Sequence, residues 1–118
     1  REKNHIKRIK VRAVPSSGPT AVTSASHLDD DTTNWLSKRN IEEITTIGSS
    51  LKFTIVASGL ADVYPRFGPT MEWDTAAGDA ILRAAGGNVL NPDGRVYCYG
   101  KTAYQNTPFI AYGQSTKL

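Results

Sequence analysis

The stretch from Gly68 to Gly87, GPTMEWDTAAGDAILRAAGG, leaves the chain the least conformational freedom. A Gly-Pro turn opens it, and Glu72 and Asp74 follow where negative charge suits the positive end of a helix dipole. Ala76, Ala77, Ala80 and Ala84 are strong helix formers, small enough for close backbone packing. Ile81 and Leu82, with Ala77 and Ala85, are expected to form the inward apolar face. Gly86 and Gly87 then stop the helix, as a left-handed cap requires. On residue pattern alone this is a well-capped core helix whose first turn carries an acid, Asp74.

The rest of the chain fits an α/β domain. Its 118 residues allow one domain at most, and 39% hydrophobic with 21% charged residues is ordinary for a globular chain. No apolar run approaches membrane-spanning length, and no signal-peptide pattern opens the chain. The chain begins at Arg1 and goes directly into charged alternation, which reads as a piece of a longer product. A single cysteine, Cys98, rules out an internal disulfide and suits a reducing cytoplasm; it reads as a small buried residue. The net charge of +3 is concentrated at the start: residues 1–12 hold six cations against Glu2, a net +5, which leaves −2 for the remainder. Because Ile9, Val11 and Ala13 alternate with those charges, the segment reads as a half-solvated strand from Ile9 onward and not as a nucleic-acid arm.

In chain order, a short buried strand is expected over Ala21–Ser26, with His27 at its exit. Asp29, Asp30 and Asp31 then open a helix that carries Trp35 and Leu36 inward. Three consecutive acids point in different directions on a helix, so they suit its N-terminus better than a metal. A strand is expected over Ile41–Ile47. From Gly48 to Gly59 the local preferences conflict. Phe53-Thr54-Ile55-Val56 favours a strand, whereas Gly48-Ser49-Ser50 favours a helix start with Ser49 as the N-cap. Such a start offers free N–H groups and hydroxyls to an anion that Lys52 also reaches, although a capped helix with a surface lysine fits equally. Ala61–Phe67 reads as a strand in which Pro65 marks an edge or an exit. Arg66, at its end, either snorkels or grips a phosphate through its planar fork. Asn88–Leu90, a turn over Asn91–Gly94 and a return over Arg95–Tyr99 make a hairpin, and Phe109–Gly113 is a last core strand. Alternating strands and helices predict a mixed sheet of about five strands with helices on both faces.

The run Trp73-Asp74-Thr75-Ala76-Ala77-Gly78, followed by Ala84-Ala85-Gly86-Gly87, resembles the second signature of the inositol monophosphatase superfamily of magnesium-dependent, lithium-sensitive phosphatases. Gly48-Ser49-Ser50-Leu51-Lys52-Phe53 and Tyr64-Pro65-Arg66-Phe67-Gly68-Pro69-Thr70 are similar to the CysQ-type 3'(2'),5'-bisphosphate nucleotidase branch. Ser24-Ala25-Ser26-His27 matches that branch's Ser-Arg-Ser-His except at Ala25, so one cationic contact is absent or supplied elsewhere. Ser58 stands where many of these nucleotidases carry glutamate.

The resemblance implies that the chain is the carboxyl-terminal, substrate-binding domain of a two-domain phosphatase. In the intact protein it implies cytoplasmic hydrolysis, free or at the inner face of the membrane, of the 3'- or 2'-phosphate of adenosine bisphosphate. Asp74 would be a Mg2+ ligand, and His27, Ser49, Ser50, Lys52 and Arg66 would hold the nucleotide and its non-reacting phosphate. Inositol-specific members carry an acid at the position of Arg66, which suits sugar hydroxyls. Most magnesium ligands in the family lie in an amino-terminal domain whose paired-glutamate and Asp-Pro-x-Asp-Gly-Thr motifs do not occur here. The 118 residues alone are therefore expected to be inactive. Two alternatives stand beside this expectation: an inositol or fructose bisphosphate phosphatase, and a non-catalytic phosphate-binding module.

Overall fold

The computed structural model describes residues 9–24, 29–47, 51–68, 70, 72–95, 97, 108–114 and 118; for residues 72–74 it describes the backbone only. The elements are β1 (Thr20–Ser24), α1 (Asp30–Lys38), β2 (Glu43–Ile47), α2 (Lys52–Ala57), β3 (Val63–Arg66), α3 (Glu72–Ala84), β4 (Asn88–Leu90) and β5 (Phe109–Tyr112). The strands form one mixed sheet in the order β2-β1-β3-β5-β4. β1 pairs in parallel with both β2 and β3, and β5 runs antiparallel to β3 and β4. The expected five-stranded α/β architecture is therefore the observed one.

Alternation along the strands divides the core into two layers. On one face Ala21, Val63, Ile110 and Tyr112 meet Trp35, Leu36 and Ile41 from α1 and its exit. On the other, Val22, Tyr64, Phe109 and Ala111 meet Phe53, Val56 and Ala57 of α2 and Leu82 and Ala85 at the end of α3. α1 starts where the acids indicate: the Asp29 carboxylate caps it, accepting the Thr32 N–H at 2.8 Å. α2 resolves the conflict over 48–59 in favour of a helix. Leu51 occupies the N-cap position of the described helix; Ser49, the expected cap, lies outside the described residues.

α3 ends in a Schellman motif, with Gly87 N–H on the Leu82 carbonyl and Gly86 N–H on that of Arg83; Gly86 has φ +100°. Its inward stripe differs from the expected one. Leu82 and Ala85 are buried as expected, but Ala77 is exposed and Ile81 is 42% exposed, while Thr75 and Asp79 turn inward. Asp79 is buried because Arg83, one turn on, neutralises it; Arg83 also donates to Asn88 Oδ1 and to the Val89 carbonyl.

Two further expectations are corrected. Described residues 9–14 form no strand: Val11 packs into the core with its N–H on the Ala85 carbonyl, so the alternation there reflects burial against a helix end. Pro65 is fully buried in a central strand and not at an edge. It is tolerated because the ladder to β1 consists of the single pair Ala21↔Val63, so the far end of β3 pairs with β5 alone. The hairpin after β4 closes through Asn91 N–H to the Arg95 carbonyl and Tyr97 N–H to that of Val89. Of the expected return strand, residues 96, 98 and 99, including Cys98, lie outside the described residues.

Candidate functional site

The three parallel strands finish at one level. Ser24 pairs with Ile47, the last residues of β1 and β2, and three residues beyond the Ala21↔Val63 pair come Ser24 and Arg66, the last residues of β1 and β3. From β1 the chain crosses through α1 on one face to β2, and then through α2 on the other face to β3. This reversal on either side of β1 is a topological switch point, and the crevice beyond the carboxyl ends of such strands is where open α/β sheets bind ligands. Of the sequence-predicted substrate residues, Arg66 ends β3 and Lys52 opens the helix that follows β2, while α3, whose third residue is Asp74, follows β3.

Lys52 and Arg66 are brought together. By strand alternation Arg66 projects to the face that carries Tyr64, the face covered by α2. Lys52, the first residue of α2, places its Nζ 5.5 Å from the centre of the Tyr64 ring and donates to the Ile47 carbonyl at 3.1 Å. Both cations are largely removed from water, Lys52 at 7% exposure and Arg66 at 9%. Burial, and then the charge of Arg66, lower the pKa of the Lys52 ammonium below its usual range. Burial also pushes the Tyr64 phenol up to about 12, against the opposing charge of Arg66, so it stays neutral. Beneath this pair the Phe53, Tyr64 and Phe109 rings pack with centroids 5.3–5.5 Å apart, a rigid apolar floor. Two buried like charges on such a floor suit an anion with at least two oxygens to share.

Sequence reasoning missed a third member. Asp29 Oδ2 and Arg66 Nε each lie 3.7 Å from the point where a side chain on Gly68 would begin. Burial raises the Asp29 pKa, but the Thr32 hydrogen bonds and the positive charge of Arg66 outweigh it and hold the carboxyl below its usual range. The signal for Asp29 was present but was already accounted for by its helix-capping role.

Asp74 is the third residue of α3; its side chain lies outside what the structure describes, as do His27, Ser49 and Ser50. Among the described residues no group of three or more His, Cys, Asp or Glu side chains could hold a metal ion. A hard cation such as magnesium takes six oxygen ligands, so the described donors do not by themselves make a site for it. No helix among the described residues is long and apolar enough to cross a membrane.

Comparison with known proteins agrees with this geometry. A family model described as "Inositol monophosphatase family" matches residues 2–117. The 3'(2'),5'-bisphosphate nucleotidase CysQ of Salmonella typhimurium is 50% identical over 93 residues, which are 79% of this chain and 37% of that protein. An uncharacterised protein in the pss 5' region of Rhizobium leguminosarum is 54% identical over 86 residues, 68% of this chain and 90% of that one. Among solved structures, CysQ from Bacteroides thetaiotaomicron superposes with a TM-score of 0.73 at 40% identity, covering 87% of this chain and 40% of that chain. The chain thus spans about two fifths of the length of the CysQ proteins it matches.

Proposed function

This chain belongs to the inositol monophosphatase family, and from that premise we propose that the intact protein is a phosphatase acting on adenosine 3'(2'),5'-bisphosphate. The observation that carries the substrate is the convergence of buried Lys52 and Arg66 at the carboxyl ends of the parallel strands. A polyol asks for hydrogen-bond acceptors and donors in balance, whereas a second phosphate asks for cations. Arg66 offers a fixed planar fork and Lys52 a compact point charge, a combination suited to holding the phosphate that does not react. Holding it would fix the position of the other phosphate, and positioning of this kind contributes several kcal/mol to catalysis. The names of the CysQ relatives support the same substrate class.

In this reading His27, Ser49 and Ser50, in the connections that leave β1 and β2, add donors to the same anion. Asp74 supplies one magnesium ligand, and the remaining ligands come from outside these 118 residues, so the chain is the substrate-binding half of a two-domain, lithium-sensitive, cytoplasmic enzyme. The test is substrate profiling of the intact protein and of its Arg66→Glu variant. The wild type is expected to prefer the adenosine bisphosphate over inositol monophosphate and fructose bisphosphate, and Arg66→Glu to lower that preference at least tenfold, as loss of a charge-assisted contact implies. An unchanged preference would remove Arg66 from substrate recognition. A wild type that hydrolyses none of the three would leave a phosphate-binding module.

A further inference from the structure

Arg66 sits at the end of a strand, and what aims its guanidinium is a separate question from what it binds. The carboxylate of Asp29 is held in a defined orientation, because Oδ1 accepts the Thr32 N–H at 2.8 Å as the cap of α1. Its other oxygen, Oδ2, is directed over Gly68, where it lies 3.7 Å from the position of the missing Cβ. Arg66 Nε lies 3.7 Å and Cζ 3.8 Å from the same point. The two groups therefore flank a residue that places no side chain between them, near enough for their charges to act on one another but joined by no direct hydrogen bond. The other described buried acids are committed elsewhere: Asp62 is bonded to Arg12 and Asp79 to Arg83. Asp30, Asp31, Glu42 and Glu43 are exposed.

We infer that Asp29 is a positioning residue for Arg66: with one oxygen tied to the first turn of α1, its charge acts across Gly68 on the guanidinium, biases where that group rests, and so sets how tightly the site grips a phosphate. The inference rests on the phosphate-holding role assigned to Arg66 above. It joins α1, on one face of the sheet, to a site otherwise built from β3 and α2. The direction of the charge coupling agrees, since the field of Arg66 acts to lower the Asp29 pKa.

Asparagine separates the two duties of Asp29, because it caps a helix as well as aspartate does but carries no charge. The experiment is a double-variant cycle on the intact protein: wild type, Asp29→Asn, Arg66→Gln and both together. Each is assayed for kcat and KM on adenosine 3',5'-bisphosphate and, separately, for the Kd of inorganic phosphate by calorimetry. Asp29→Asn is expected to raise KM and the phosphate Kd roughly three- to tenfold, the range of coupling between neighbouring residues. kcat should change less than about twofold and the melting temperature should not move, since the cap survives. In the Arg66→Gln background, Asp29→Asn should add no further loss.

Losses that multiply in the double variant would overturn the inference, because Asp29 would then act independently of Arg66. Tighter phosphate binding by Asp29→Asn would also overturn it, as the carboxylate would merely compete for the guanidinium. If the wild type binds phosphate but does not hydrolyse the bisphosphate, the functional reading falls while the phosphate cycle still decides the role of Asp29. A wild type that binds neither overturns both.

Discussion

Gly78, in the middle of α3, sets helix propensity against packing, and the distances decide which wins. On propensity alone Gly78→Ala should stabilise the helix by about 0.8–1 kcal/mol. In the fold, however, an added Cβ would lie 2.6 Å from Phe53 Cδ2 and 2.8 Å from Phe53 Cβ and Cγ. Carbon atoms pack best at about 3.5–4 Å, so each contact falls short by roughly 1 Å. Phe53 cannot swing aside: its ring is stacked on Phe109 at 5.5 Å and meets the edge of Tyr64 at 5.3 Å. Its Cβ can move only with the backbone of α2, so α2 and α3 must separate. Overpacking of this kind costs typically 1–3 kcal/mol, and with a fixed partner we take about 2–3. Subtracting the propensity gain leaves a net destabilisation of about 1–2 kcal/mol, or roughly 4–10 °C in melting temperature for a domain of this size. The measurement is thermal and urea unfolding of the intact protein, with Ala77→Gly at an exposed position of the same helix isolating the propensity contribution. A Gly78→Ala variant more stable than wild type would refute the close approach of the two helices. Because Lys52 adjoins Phe53, the same substitution is also expected to weaken phosphate binding.

Asp62→Ala removes the acceptor of Arg12 Nε at 3.1 Å, Arg12 Nη2 at 2.9 Å and Thr20 N–H at 2.7 Å. It should cost about 2–3 kcal/mol by urea denaturation, solvent at the partly exposed Arg12 recovering some of the loss; a change under about 1 kcal/mol would contradict that geometry. Lys52→Met should leave the melting temperature unchanged or raised while weakening phosphate binding, and a fall of several degrees would count against a functional reason for the buried ammonium. The pH dependence has a definite sign. The folded pKa of Lys52 is lowered by burial and then by Arg66, so the cost of the charged form is full at neutral pH. That cost is relieved as pH rises through the lowered value toward the ordinary 10.5. Wild-type stability relative to Lys52→Met should therefore increase over that alkaline window; a flat difference would show that Lys52 is not desolvated. Finally, the 118-residue chain titrated calorimetrically with magnesium should show no tight stoichiometric binding, since one helix-borne carboxylate does not make an octahedral oxygen shell.

Much of this was legible in the sequence where a local signal and the tertiary requirement coincide. Asp29 followed by Asp30, Asp31 and an inward Trp35-Leu36 pair marks a helix start, and α1 begins there. Gly86-Gly87 marks a helix stop, and both glycines close the Schellman bonds. Legibility ends where a distant residue decides the outcome. Phe53-Thr54-Ile55-Val56 has strand preference but folds as a helix, packed against Gly78, a partner no local window contains. The phase of α3 was displaced because an acid in an apolar stripe reads as outward; Asp79 turns inward with Arg83 to neutralise it, and Ala77 and Ile81 rotate outward in consequence. Lys52 and Arg66 could be singled out individually, but their convergence depends on the crossing of α2 over the sheet.

Among the described residues, buried charges occur both in opposite-sign pairs and as neighbours of one sign, and the two arrangements have different consequences. Arg12 with Asp62, and Arg83 with Asp79, are opposite-charge pairs that anchor the first described segment and the end of α3 to the sheet. Each satisfies itself inside the domain and requires nothing further. Lys52 and Arg66 are of one sign, and the Lys52 ammonium is depressed first by its burial and then by the charge of Arg66. A fold gains no stability from placing two such groups at the mouth of parallel strands, since apolar residues of the same volume would pack there at lower cost. Under the proposed function, the two cations share an anion of higher charge than a single carboxylate when substrate is bound. Asp29, already fixed to α1, is suited to keep the arginine aimed while that anion is away.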